Sequence, residues 1–194
     1  MTKKSLFDLR KMKLVELPGE RARIRWIRHD DPEEMRRLVS IDLDESVRRY
    51  VLEVGGDPGE LREFAVGTKK SIGVAVAGER DHVGEEEHDR LQGWIAIYLD
   101  HPSRLRRAAE KGLLTYELDK IYLDVGFARY PAAKRGQMGS ALRSVIASLA
   151  KYLDKIGMKW CLKGYTHPNN EGSKRVLTSA GFKHLGEMPY TVKY

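Results

Sequence analysis

KRGQMGSALRSVI (Lys134–Ile146) is a basic, glycine-containing turn that runs straight into an apolar helix. From Gly139 onward Leu142, Val145, Ile146, Leu149, Leu153 and Ile156 recur at helical spacing, and Gly157 is placed to end the helix. Backbone N–H groups at a helix start lack partners and carry the positive end of the helix dipole. An anion satisfies both, provided no side chain blocks its approach. Gly136 and Gly139 permit that approach, and Lys134 and Arg135 add charge. A carboxylate introduced at Gly139 is then expected to enter the anion's path and leave the fold intact. The turn lacks the lysine and hydroxyl residue that close a nucleotide-hydrolase phosphate loop, and it lacks the three-glycine dinucleotide spacing. Alone, it serves equally as the start of a buried helix.

Working outward, KIYLDVGFA (120–128) alternates Ile121, Leu123, Val125 and Phe127 on one face, which predicts a strand before the turn. MKWCLKGY (158–165) predicts the strand after the helix, with Met158, Trp160 and Leu162 on one face. NNEGSKRVLTSAGF (169–182) predicts a second helix, closed by Gly181, and the tail 183–194 one or two final strands. In the first half, RARIRWIR (21–28) reads as a strand, and HDDPEEM (29–35) as a helix start with Asp30 or Asp31 as cap and Pro32 early. DESVRRYVLEV (44–54) reads as a helix stopped by Gly55 and Gly56. SIGVAVAGE (71–79) and LQGWIAIYL (91–99) read as strands joined by an acidic loop, and PSRLRRAAEKG (102–112) as an inserted helix. The pattern is α/β around one mixed sheet. It predicts an N-terminal arm at 1–20 and a single domain at 21–194.

The 194 residues suit one domain with a sizeable core, and 41% hydrophobic with 32% charged residues is a soluble globular mix. No apolar run is long enough for a bilayer, so no membrane partner is expected. The opening residues have no continuous apolar core and read as an arm rather than a secretory signal. Cys161 is the only cysteine, which excludes an intrachain disulfide and a cysteine-rich zinc site and fits a cytoplasmic chain. His82 and His88 sit in the acidic loop without metal-ligand spacing, so no metal is expected. The net charge of +7 keeps a basic RNA-binding protein as an alternative, although the basic residues are spread rather than blocked.

The run Asn170-x-x-Ser173-x-x-x-Leu177-x-x-x-Gly181-Phe182, following the turn, a strand and HPNN, resembles the GNAT superfamily of acyl-CoA-dependent N-acetyltransferases. That family pairs a Q/R-x-x-G-x-G/A turn with a later N-x-x-S/A-x-x-x-Y/L-x-x-x-G-F helix. Lys134-Arg135-Gly136-Gln137-Met138-Gly139 lies on the first pattern, and Pro131 precedes it where the family often has proline. The resemblance covers residues 116–187 firmly and the earlier part only by element order. It implies a GNAT fold, with a mixed central sheet of about six to seven strands and helices on both faces.

By this resemblance the anion is the pyrophosphate of acetyl-CoA, a co-substrate held by Lys134 and the amides from Arg135 through Gly136, Gln137, Met138 and Gly139 to Ser140. Phe127, Ala128 and Arg129 would pair with the pantetheine amides like another strand. Asn170 and Ser173 would hold the pantetheine arm from the neighbouring helix, with Asn170 also a natural helix cap. Gln137 stands where the family usually has glycine, which alters one backbone approach. Leu177 stands where many members have the tyrosine that protonates the departing thiolate, leaving Tyr165 and Tyr190 as substitutes. The implied activity is direct acetyl transfer to a primary amine. The alternative within the fold is an acyl-CoA-binding module without catalysis.

Direct transfer needs the acceptor's nitrogen unprotonated, and an alkylamine has a pKa near 10.4. A carboxylate is the usual base. Asp124, which interrupts an otherwise apolar strand, leads, followed by Asp119 and Glu117. The acceptor is left open among a small molecule, a protein amine and an aminoacyl group, with a homodimer as a further option. The basic surface disfavours polycationic acceptors.

Overall fold

The computed structural model describes residues 7–48, 64–77, 90–130, 133 and 135–186. The end of the second expected helix, the acidic loop at 80–89 and the tail at 187–194 lie outside the described residues. Within them the order is β1 (Arg23–Trp26), α1 (Pro32–Leu43), α2 (Glu45–Arg48), β2 (Ser71–Ala77), β3 (Leu91–Leu99), α3 (Pro102–Glu110), β4 (Lys120–Arg129), α4 (Gln137–Lys155), β5 (Lys159–Gly164) and α5 (Glu171–Ser179).

Five described strands form one sheet in the order β1-β2-β3-β4-β5. The first three pairings are antiparallel and β4 with β5 is parallel, which α4 makes possible by crossing over between them. Strand alternation sends Ile95, Ile97, Leu123 and Val125 to one face, against Leu142, Val145, Leu149 and Leu153 of α4 and Leu177 of α5. On the opposite face Leu38 and Ile41 of α1 pack with Ala75 and Ala128. Helices therefore cover both faces. Residues 183–186, where the tail strands were expected to begin, form no strand.

The caps follow the sequence signals. Asp31, not Asp30, caps α1, accepting from the amides of Glu33 at 2.9 Å and Glu34 at 3.2 Å, with Pro32 in the first turn. His101 caps α3 by accepting from the Ser103 amide at 3.3 Å, and Pro102 follows it.

The arm explains a polar stripe on α4. Ser140, Ser144, Ser148 and Tyr152 recur every fourth residue and so share one helix face. Their hydroxyls accept from the backbone amides of Ala22 at 3.1 Å, Leu17 at 3.4 Å, Val15 at 2.8 Å and Asp8 at 2.8 Å. A segment outside the sheet, with a short 3-10 helix at Leu9–Lys11, thereby satisfies four of its backbone donors. Arg143 adds a fork to Glu20, at 2.5 and 2.7 Å, and donates to the Ser179 carbonyl at 2.9 Å. The start of α4 is thus tied to both the arm and α5. No described helix is long and apolar enough to cross a membrane.

Candidate active site

The parallel pairing of β4 with β5 stops at Val125↔Gly164. Beyond it Gly126, Phe127, Ala128 and Arg129 keep their partners on β3, and among the described residues their other edge has no strand. A splay therefore opens between β4 and β5. Its walls are the free edge of β4, the start of α4 and the last turn of α5, where Leu177 meets Gly164.

At one end lies the start of α4. Gly136 is its N-cap, with φ +91°, a left-handed conformation that favours glycine, and no side chain caps the helix. A Cβ placed on Gly136 would meet nothing within 4 Å, so the approach is open. By helix geometry the amides of Gly136, Gln137, Met138 and Gly139 have no intrahelical acceptor, whereas that of Ser140 enters the helix ladder. Gln137 and Met138 are each 4% exposed, and the Gln137 Oε1 is buried without a hydrogen-bond partner. Arg135 is exposed beside the turn, and Lys134 lies outside the described residues. Arg129 is committed elsewhere, since its guanidinium donates to the Ala133 carbonyl and braces the connection into the turn.

Gly139 has a different role from the one expected. A Cβ there would sit 2.5 Å from Ser179 Oγ, so its lack of a side chain serves the close contact between α4 and α5. A carboxylate at Gly139 would disturb that packing. The residue open to an incoming anion is Gly136.

At the other end of α5, Asn170 is the N-cap, its Oδ1 accepting from the half-buried Ser173 at 3.0 Å. With Ser179 against Gly139, the α-helical rise puts Asn170 roughly 13 Å from the α4 turn along the helix axis. Leu177 packs on Gly164, whose added Cβ would come within 2.8 Å of it, so an apolar side chain walls the splay there.

Asp124 adjoins the splay, one residue before the pairing ends, and is 1% exposed. Its neighbours form a buried polar cluster on the face opposite α4. Arg104 of α3 donates to Asp124 Oδ2 at 3.0 Å. Lys163, opposite Asp124 in the β5 register, pairs with Asp100 at the end of β3 and donates to the Tyr165 hydroxyl at 3.0 Å. Tyr98 lies opposite Asp124 on β3, and its hydroxyl would be 3.6 Å from a Cβ on Gly126, at the mouth of the splay. Asp100 Oδ1 and Asp124 Oδ1 are both buried without a hydrogen-bond partner.

Burial, reinforced by the Asp100 charge, pushes the Asp124 carboxyl up to about 7 against the opposing pull of Arg104 and Lys163. Burial and the Asp124 charge push the Tyr98 phenol above its ordinary range, and burial with Asp100 and Asp124 does the same to Tyr165. A carboxyl raised in the native state binds its proton more tightly there than in the unfolded chain. Its contribution to stability is therefore full below the ordinary carboxylate range and is lost as pH rises through about 7. Asparagine cannot ionise, so the Asp124→Asn chain should gain in melting temperature relative to wild type between pH 5 and 8. Parallel melting curves across that range would contradict the shift.

The other candidate acids are not brought to this cluster. Asp119 is paired with Lys159 at 2.6 Å, and that hydrogen bond lowers its pKa. Glu117 is paired with Lys120. Both precede the start of β4, at the opposite end of the strand from the splay. Tyr190 lies outside the described residues. Asp100, Tyr98, Arg104 and Lys163 were not anticipated. A lysine interrupting WCLKGY was the available signal, once parallel register sets it against Asp124.

No protein-family model and no curated protein matches the chain. Solved structures do. An acetyltransferase of the GNAT family from Bacillus anthracis aligns at 17% identity with a TM-score of 0.58, covering 90% of this chain and 84% of the other. Arabidopsis thaliana NAA60 in complex with acetyl-CoA aligns at 14% identity and TM-score 0.54, covering 84% of each. AAC(6')-Ib in complex with paromomycin and acetyl-CoA aligns at 12% identity and TM-score 0.53, covering 84% and 83%. The fold is that of the GNAT acetyltransferases.

Proposed function

We propose that this chain, folded as the GNAT acetyltransferases are, transfers an acetyl group from acetyl-CoA to a primary amine by direct attack. The observation that carries the reading is the β4–β5 splay, which joins an uncapped, open helix start at one end to a buried carboxylate at the other. Two of the structural neighbours were solved with acetyl-CoA.

The residues at the splay fit that co-substrate. The amides of Gly136 to Gly139, with Lys134 and Arg135, would receive the pyrophosphate. The free edge from Phe127 to Arg129 would pair with the pantetheine amides, and Asn170 has its side-chain nitrogen to donate from α5. Acetyl-CoA supplies a thioester carbonyl activated toward amines. Ionised Asp124 takes one proton from the acceptor's ammonium; the freed amine forms the C–N bond as the C–S bond breaks with its electron pair leaving on sulfur, and the second nitrogen proton passes to solvent as the amide forms. That thiolate has a pKa near 8.5, so it leaves without an obligatory acid and takes its proton from solvent or from Tyr165.

The test is thermal stabilisation by CoA followed by a thiol-release assay with acetyl-CoA across a panel of amines. Stabilisation with amine-dependent thiol release is expected. Stabilisation without release from any amine would leave a binding module. Salt-dependent RNA retention without CoA binding would replace the reading altogether.

A further inference from the structure

The Asp100–Asp124 cluster holds more than a base requires. It contains two acids and two bases, Arg104 and Lys163, so its formal charges cancel. Even so, one oxygen on each acid, Asp100 Oδ1 and Asp124 Oδ1, is buried without a donor. Leaving a buried acceptor unpaired is costly, and two in one cluster signal missing donors. The surroundings already suit an alkylammonium. Lys163 Nζ is held by Asp100 and the Tyr165 hydroxyl, with the Tyr122 and Tyr165 rings at 5.6 and 5.4 Å.

We infer that Asp100 and Asp124 form the subsite for the ammonium of a monocationic alkylamine acceptor, and that Arg104 occupies it until the acceptor displaces the guanidinium. The inference rests on the acyl transfer proposed above and names its acceptor class. Of the two resident cations, Arg104 is the more accessible to solvent. Lys163 is rooted in β5 with its side chain 9% exposed, whereas the Arg104 side chain is 34% exposed and reaches in from α3 across the Tyr165 ring at 5.8 Å. Exchanging Arg104 for an incoming ammonium keeps the cluster neutral and supplies the two orphan oxygens with donors. The entering amine also arrives beside Tyr98 and the mouth of the splay. A polycation would meet exposed Arg106, Arg107 and Lys111 around the same helix, so one positive charge is the accepted number.

The experiment is calorimetric titration of the full chain with n-butylammonium chloride, at constant ionic strength and pH 9, where the amine stays protonated. n-Butanol serves as the uncharged control, and CoA affinity is measured in parallel. Arg104→Ala should bind n-butylammonium roughly tenfold more tightly than wild type, with CoA affinity unchanged. The double variant Asp100→Asn/Lys163→Met removes both members of a buried pair without stranding a charge, and should bind at least tenfold more weakly than wild type. Equal or weaker binding by Arg104→Ala overturns the inference, as does undiminished binding by the double variant or saturable binding of n-butanol at similar affinity. Arg104→Ala decides alone if the double variant does not fold. Thiol release with other amines but no n-butylammonium binding would remove the subsite and leave acyl transfer standing. The expected amine pattern without CoA binding would do the reverse.

Discussion

Replacing Asp124 by asparagine should lower thiol release by roughly 10²- to 10⁴-fold at pH 7, the contribution of a positioned general base. The substitution keeps the side chain's shape beside Arg104, so CoA affinity should survive. The pH profile discriminates a base from a merely structural acid. With a carboxyl raised to about 7, wild-type kcat/KM should climb as pH rises through that value and then level. The variant should lack that step, and its deficit should shrink as pH nears the amine's own pKa, about 10.4 for an alkylamine. Asp119→Asn and Glu117→Gln should behave as wild type, because both acids are paired with lysines before β4 begins. Wild-type rates and an unchanged profile in all three would mean that no carboxylate of this strand region is the base, and that solvent deprotonates the amine.

The second large effect is expected at the helix start. Gly136→Asp places a carboxylate where the approach to the α4 amides is open. Two unit charges about 4 Å apart repel by about 4 kcal/mol at an effective dielectric near 20, so even partial screening predicts a loss of CoA affinity of about 10²-fold. Gly136→Ala is the control. It carries the same left-handed strain, on the order of 1–2 kcal/mol of stability, without the charge. If both variants bind CoA as wild type does, the anion does not sit at this helix start.

Much of this architecture is legible in the sequence because it rests on local chemistry. The apolar positions of α4 recur at helical spacing, Gly136 precedes the helix where a left-handed residue is needed, and Asn170 sits where a cap belongs. Asp124 stood out because a carboxylate interrupts an apolar strand. What was hidden depends on partners far along the chain. Gly139 answers to Ser179, forty residues away, so its role could not be read from the turn. Ser140, Ser144 and Ser148 resemble a solvated stripe until the arm is laid over them. Lys163 and Asp100 meet only when the parallel β4–β5 register and the end of β3 are both known, and Arg104 arrives on a helix inserted between strands. The one local sign is the lysine that interrupts WCLKGY, and it points to a shared site only once that register is known.

The central claim is that the acetyl group passes from sulfur to nitrogen on this chain. Its most direct test is to incubate the protein with acetyl-CoA carrying a ¹³C-labelled acetyl group and n-butylamine, and to follow both products by NMR. The expected result is one N-butylacetamide formed for each CoA thiol released, dependent on Asp124. Thiol released with free acetate as the only labelled product, or no thiol release with n-butylamine or with any other amine of the panel, would contradict it.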